Sequence, residues 1–360
     1  MNKFRYLIFV LIIVTAFSLY AVSAKKTRNR INLSGRKISD LSKFKFREGL
    51  RSLDLSENRI SDLAPLNLPS SLKALFLADN QISDLSQLKL NSNLEILSIL
   101  GNQIQDTSTL VLPDSLKILS LSFNQISTID NLNFPPNLQD LDITNNQITD
   151  YSNVDFPASL KNLEIGHAEL VNVDDYRLNE GLERLLISST PIDSIDAVQF
   201  PSTLKTLILL SSRLKTMNGS NLPSDLEYIN FNNNFFNEFA GVQFPAGLKE
   251  LSLERNNIDG LNFSDLMLPE GLEELSLARN GIANSKQENT VFIFPDPLED
   301  LNLPDSLKVL DLTRNSLTNL DALQIPKSLE LIKLRKNNFS RKEKQKIRRR
   351  FRKLGIKVRI

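Results

Sequence analysis

One phrase, Leu-x-x-Leu-x-Leu-x-x-Asn-x-Ile, returns about every 22 residues along most of the chain and constrains its fold more than any other feature. It opens at Leu50, Leu72, Leu94, Leu116, Leu138, Leu160, Leu182, Leu204, Leu226 and Leu248, and returns at Leu272, Leu307 and Leu329. A degenerate copy with Ile31, Leu33 and Ile38 precedes them, making fourteen copies. Alternate apolar residues within each phrase, such as Leu75 and Leu77 or Leu119 and Leu121, have the period of a short strand with one buried face. A single copy cannot bury its own leucines. Stacked copies share a continuous core and a parallel ladder, which at strand spacing is roughly 65 Å long.

The Asn of each phrase, as in Asn58, Asn80, Asn102, Asn124 and Asn146, follows the strand where the chain turns and backbone groups lose their ladder partners. A side-chain amide can both donate and accept there, so stacked copies predict an asparagine ladder with a structural role. The return half carries Leu-Pro or Phe-Pro, as at Leu68-Pro69, Leu112-Pro113, Phe134-Pro135, Phe156-Pro157, Phe200-Pro201 and Phe244-Pro245. Proline fixes its own φ and pushes the residue before it into extended conformation. The convex side is therefore expected to hold extended segments and tight turns, with the recurring Phe filling the core behind the leucines.

These phrases resemble leucine-rich repeats. Asn80-Gln81-Ile82-Ser83-Asp84-Leu85 resembles the 22-residue repeats of the bacterial internalin family, and Leu112-Pro113-Asp114-Ser115-Leu116-Lys117 resembles the LPX-type repeats of effectors from enteric pathogens. The resemblance spans about residues 28 to 339. It implies a leucine-rich repeat solenoid, or horseshoe, with a parallel β-sheet on the concave face. It also implies a receptor-like or adhesin-like binding role with no chemistry by the repeats.

The two ends differ from the body. Met1 to Arg5 is basic, residues 6 to 24 are uncharged, and Val22-Ser23-Ala24 offers a small-residue cleavage site, so residues 1–24 read as a secretory signal. The apolar stretch 7–22 is nearly long enough for a tilted span, and Lys25, Lys26, Arg28 and Arg30 just beyond it work against translocation, so an uncleaved membrane anchor is the alternative. The expected location is secreted or extracytoplasmic. Residues 25–339 form the solenoid and residues 340–360 a basic cap. In the cap, Ile347, Phe351 and Leu354 share one helix face, and Lys357 to Ile360 reads as a strand after Gly355. Residues 31–339 hold 26 basic and 41 acidic residues, whereas 340–360 hold eleven and one. An acidic body argues against nucleic-acid binding by the repeats, because phosphate contacts need cations.

The array is irregular in two places. Ala168, Thr190 and Ser212 replace the Asn in three successive copies, and Ala cannot supply any of its hydrogen bonds. Between Leu272 and Leu307 the interval is 35 residues, with residues 283–306 forming either a loop or a long repeat followed by a truncated one near Leu298. A binding role for that segment is open, since loops on rigid scaffolds often carry contacts.

Strand residues pointing away from the core form the concave face and are free of core packing. Phe76, Ile96, Leu100 and Ile118, with Phe123 near the rim, make one apolar group there; Leu186, Ile208, Leu210 and Tyr228 make a second. Asp140, Asp142, Asn162 and Glu164 lie between them. Clusters of apolar residues on adjacent strands of an open face suit a protein partner, unless they cover one another. The expected function is non-enzymatic capture of a protein ligand through the concave face, with no catalytic residue, no cofactor, no metal, and membrane contact only through an uncleaved N-terminus. A structural or surface-layer role is the competing reading, and an enzyme is disfavoured: the chain has no cysteine and one histidine, His167. One His without a second His or a Cys is a poor metal site. His167→Ala is expected to leave biological activity unchanged, and a turnover abolished by that substitution alone would reverse the reading.

Overall fold

The computed structural model describes residues 29–166, 177–217, 222–237, 239, 241–258, 263–284 and 296–360. The candidate signal segment, His167, Ala168 and residues 285–295 lie outside the described residues. The strands are β1 (Arg30–Asn32), β2 (Ser52–Asp54), β3 (Ala74–Phe76), β4 (Ile96–Ser98), β5 (Ile118–Ser120), β6 (Asp140–Asp142), β7 (Asn162–Ile165), β8 (Arg184–Ser188), β9 (Thr206–Leu210), β10 (Tyr228–Asn230), β11 (Glu250–Ser252), β12 (Glu274–Ser276), β13 (Val309–Asp311), β14 (Leu331–Lys333) and β15 (Lys357–Arg359). All 15 form one parallel sheet in sequence order. The stack is the expected solenoid: fourteen repeat strands, closed by helix α1 (Arg341–Lys353) and the added strand β15.

Most strands are three residues long because the chain kinks immediately afterwards. The residue just ahead of the Asn place is left-handed in successive turns, as at Glu57, Asp79, Phe123, Asn145, Arg255, Arg279 and Arg314, with φ between 52° and 59°. Left-handed backbone costs an L-residue about 1–2 kcal/mol. Neighbouring turns hold it there: Glu57 N–H donates to Ala78 O at 2.8 Å, and Asp79 N–H to Leu100 O at 2.9 Å.

The Asn that follows does what its position predicts. Asn102 Nδ2 donates to Leu77 O of the preceding turn and to Ile99 O of its own, each at 3.0 Å, while its Oδ1 accepts from Ile82 N–H at 3.0 Å. Asn58, Asn80, Asn124 and Asn146 repeat the pattern. A second ladder runs on the other side of the strand, where the residue before the first Leu donates to that Leu's equivalent one turn back: Ser71 to Leu50 O, Ser115 to Leu94 O, Ser159 to Leu138 O. Sequence reading missed this serine row. Where the Asn place is taken by Thr190 and Ser212, the two hydroxyls bond each other at 2.9 Å, and Asn234 Oδ1 is left buried without a partner. The strands there, β7 to β9, are also the longest, at four or five residues.

On the convex side each Pro-x-x-Leu closes a turn, with Leu72 N–H bonding Pro69 O and Leu116 N–H bonding Pro113 O. Between strands the described residues form extended segments and turns, with a 3-10 turn at Phe263–Asp265. Among the described residues no strand of its own joins the sheet in the long interval: β12 pairs directly with β13, and Leu298 and Leu301 are buried in the core. A truncated copy would have inserted a strand between them.

The cap differs from expectation in one detail. Ile347 and Phe351 are buried, but Leu354 is 55% exposed. Helix α1 ends at Lys353, and Leu354 is its C-cap, still right-handed at φ −87°; the chain turns away at Gly355, φ +74°, with Gly355 N–H bonding Arg352 O and Ile356 N–H bonding Phe351 O, so the cap residue stands beyond the buried stretch of the helix.

Asn102→Ala would strand a buried N–H at Ile82 and take one of two amide donors from each of the buried carbonyls of Leu77 and Ile99, which keep Asn80 and Asn124. The expected loss is about 2–4 kcal/mol by denaturant unfolding. A loss indistinguishable from that of an exposed Asn, such as Asn67, would show that the ladder contributes nothing.

Candidate binding surface

The parallel register turns the concave face into columns of residues one strand apart. The first column reads Ser52, Ala74, Ile96, Ile118, Asp140, Asn162, Arg184, Thr206, Tyr228, Glu250, Glu274. The next reads Asp54, Phe76, Ser98, Ser120, Asp142, Glu164, Leu186, Ile208, Asn230. Core leucines such as Leu75 and Leu119 alternate with them and point inward.

The first apolar group comes together across β3, β4 and β5. Ile96 lies against Ile118 in register and is 2% exposed, so it forms floor, not contact surface. Phe76, Leu100 and Ile118 are half-buried, and Phe123, raised on its left-handed residue at the rim, is 37% exposed. In the second group Leu186 and Ile208 pair in register on β8 and β9 and are both buried, which closes them to a ligand of the free chain. Leu210 and Tyr228 keep part of their surface. Three of the nine candidates are therefore covered by neighbours one strand away, at a spacing where large side chains touch.

Between the groups lies a polar strip denser than its residue types suggested. Asp142 and Glu164 occupy adjacent places in one column, and both are buried. Asp142 Oδ1 accepts from Thr144 N–H and Thr144 Oγ1 at 3.1 and 2.8 Å, and its Oδ2 accepts from Ser120 Oγ at 3.3 Å. Glu164 is paired to Arg184, Nη1 to Oε1 at 2.5 Å, and Asn162 Nδ2 donates to Asp140 at 2.6 Å. Arg184 Nη2 is buried without a partner, as is Ser98 Oγ two strands before Asp142. Gly166 ends β7 at φ +136°, where a Cβ would come within 2.1 Å of Ser188 O, so glycine alone lets β8 approach.

Burial raises the carboxyls of Asp140, Asp142 and Glu164 above their ordinary range. For Asp142 the hydroxyl and amide donors oppose the rise; for Glu164 the Asp142 charge adds to it and Arg184 opposes it. Burial, with the Asp142 charge second, also raises the Tyr151 hydroxyl. Sequence reading listed the acids but missed Arg184, whose role was visible only through register.

Just ahead of the strands runs a row of alternating charge, also unread in the sequence. Glu95 lies between Lys73 and Lys117, with Lys117 Nζ at 3.2 Å; Glu183 lies between Lys161 and Lys205 at 3.2 and 3.7 Å; Glu273 meets Lys308 at 2.8 Å. These flanking pairs are exposed enough to contribute little to stability. Among the described residues no cluster of His, Cys, Asp or Glu fits a metal ion.

Because Asp142 binds its proton more tightly folded than unfolded, stability falls as pH rises from the ordinary carboxylate range, about 4, through the raised value. Asp142→Asn keeps the shape and removes the charge beside Glu164. It is expected to raise the melting temperature at neutral pH and to match the parent near pH 4. A variant less stable at both values would show that the carboxylate's hydrogen bonds outweigh its burial.

In sequence, a leucine-rich repeat family model in two copies matches residues 48–90, and a single-repeat leucine-rich model matches residues 134–150. No curated protein matches the chain. Among solved structures, an internalin (InlF) from Listeria monocytogenes is similar, with 21% identity, a TM-score of 0.62 and 87% of each chain covered. A leucine-rich repeat protein of Leptospira interrogans is similar at 22% identity and a TM-score of 0.53, covering 95% of this chain and 98% of that one. The repeats, the ladders and these fold neighbours agree: the chain is a leucine-rich repeat protein with an internalin-like solenoid and a C-terminal cap.

Proposed function

We propose that this chain is an exported, non-enzymatic recognition protein that captures a protein ligand on its concave sheet. Leucine-rich repeat folds serve commonly as protein-interaction modules, and the concave columns supply the surface such a module uses. The observation that carries the reading is the half-open apolar group of Phe76, Leu100, Ile118 and Phe123 beside the half-buried carboxyl of Asp140. A partner suited to it presents an apolar anchor next to a cation, and hot spots of interfaces are often such anchors. Nothing in the strip brings a nucleophile, base and oxyanion donors together in the way a reaction needs.

Export rests on residues 1–24: release after Ala24, or retention in a membrane through residues 7–22, are the two forms of the proposal, and sequencing the mature N-terminus separates them. A surface-layer role is less well supported. End-to-end stacking would set β15, with exposed Lys357 and Arg359, against β1 of a neighbour, which carries exposed Arg30 with Arg36 and Lys37 beside it. Like charges at both ends oppose that assembly.

Register chooses the test. Phe76 neighbours Asp54, and Ile118 neighbours Asp140, so lysine is the charge these places tolerate. Phe76→Lys and Ile118→Lys are each expected to weaken ligand capture by about 2 kcal/mol or more with little change in melting temperature. Leu75→Lys and Leu119→Lys, one residue away and inward, should unfold the chain. Capture that survives both outward changes would move the site to Leu210 and Tyr228, and survival there as well would exclude the concave face.

A further inference from the structure

Closing the solenoid asks less of helix α1 than the helix contains. Its buried contacts are Ile347 and Phe351; its start is capped by Ser340 Oγ accepting from Glu343 N–H at 3.1 Å; and Arg350 ties it to the repeat that opens at Leu307 through Leu320 O at 2.8 Å and Leu323 O at 3.1 Å. None of this uses Arg341, Lys342, Arg348, Arg349, Arg352 or Lys353, all of which are exposed. Among the described residues the helix's ion pairs are confined to Lys346, which meets Asp321 at 2.5 Å and Glu343 at 3.7 Å. Like charges three or four residues apart, as in Arg348 with Arg352 and Arg349 with Lys353, destabilise a helix. Lys357 and Arg359 on the free edge of β15 extend the same field, and residues 327–360 hold fifteen Lys or Arg against two acids.

Among these cations stands an aliphatic side chain. Leu354, 55% exposed, lies between Lys353 and Gly355 at the end of the helix. The other large exposed apolars among the described residues, Val111, Phe123, Phe235 and Met267, belong to other turns. A nucleic-acid strand would be served by a groove and by exposed aromatics for stacking. Here the charged surface is the outside of a straight helix, and its nearest aromatics, Phe339 and Phe351, are buried. An anionic bilayer makes use of both features, since headgroup phosphates attract the cations and the acyl boundary accepts the leucine.

We propose that the C-terminal end of the solenoid, made of the exposed face of α1, Leu354 and the edge of β15, docks on an anionic lipid bilayer. The cations lie against headgroup phosphates and Leu354 enters the acyl boundary. The acidic repeats are repelled by the same surface, so docking is by the end of the solenoid and not along its length.

The chain contains no cysteine, so Leu354→Cys can carry one environment-sensitive fluorophore on the full chain and report this end alone, whatever residues 1–24 do. Vesicles with about 30% phosphatidylglycerol in phosphatidylcholine should shift its emission to the blue, and roughly 0.5 M salt should reverse the shift. Phosphatidylcholine alone should give none. Removing Arg348, Arg349 and Arg352 together as Gln should weaken partition about 100-fold, at about fivefold per cation. Lys357→Gln with Arg359→Gln, outside the helix, should weaken it in proportion, while Lys43→Gln with Lys45→Gln at the opposite end should leave it unchanged. Equal response to neutral vesicles, no response to anionic ones, or displacement from them by duplex DNA at equal phosphate concentration would overturn the proposal.

Discussion

The structure depends on one side-chain amide used repeatedly. At the end of each short strand the backbone turns away from the sheet, and its N–H and C=O groups would be buried without partners. The Asn amide joins two carbonyls on adjacent turns and accepts an N–H from the turn before, as Asn102 does with Leu77, Ile99 and Ile82. Every other feature follows from keeping that amide in register. The strand cannot lengthen past the left-handed residue, the leucines recur at one height, and the period stays near 22 residues except in the long interval. Between Leu272 and Leu307 the insertion leaves the ladder intact, with Asn280 N–H bonded to Asn315 Oδ1 at 2.9 Å.

Because the ladders and the leucine core hold each turn to its neighbours, the concave face is free to carry groups that do not help folding. Asp142 and Glu164 lie buried beside each other, and Arg184 pairs with Glu164. Burying two carboxylates costs more than a single ion pair returns, and replacing such groups by apolar residues is often stabilising. A solenoid can tolerate this, since its stability is spread over many interfaces between repeats. The strip thus divides two apolar groups by a charged centre, giving the face an order of contacts and not a uniform surface.

Much of this was legible before any coordinates, for a physical reason: a constraint that recurs once per turn writes itself into the sequence at the same period. The Asn ladder, inward leucines and proline turns are all of that kind. The serine ladder of Ser71, Ser115 and Ser159 had the same period and could have been read by asking which carbonyls remained unpaired. Exposure was harder. Ile96, Leu186 and Ile208 stand at outward positions, yet each is covered by a side chain one strand away, and that depends on the neighbouring turn's residue and not on its own. Leu354 fails differently: helical spacing placed it with Ile347 and Phe351, but it is the cap residue, and the chain turns away at Gly355 just after it, so it lies past the buried stretch.

Charge is distributed along the solenoid in a way that separates orientation from recognition. Screening at physiological salt falls off over about 8 Å, and the stack is several times longer, so its cationic ends and acidic middle act as independent surfaces. The first described turn bears Arg36, Lys37, Lys43 and Lys45, the last bears the cations of α1 and β15, and the strip of Asp140, Asp142 and Glu164 lies on β6 and β7 between them. A charged partner approaching the middle meets a field set by those carboxylates and by Arg184, with little contribution from either end. Mutations at the ends and in the strip are therefore expected to act additively, as distant sites do. Neighbouring strip residues such as Asp142 and Glu164, which share one column and whose charges act on each other, are where coupling should be found.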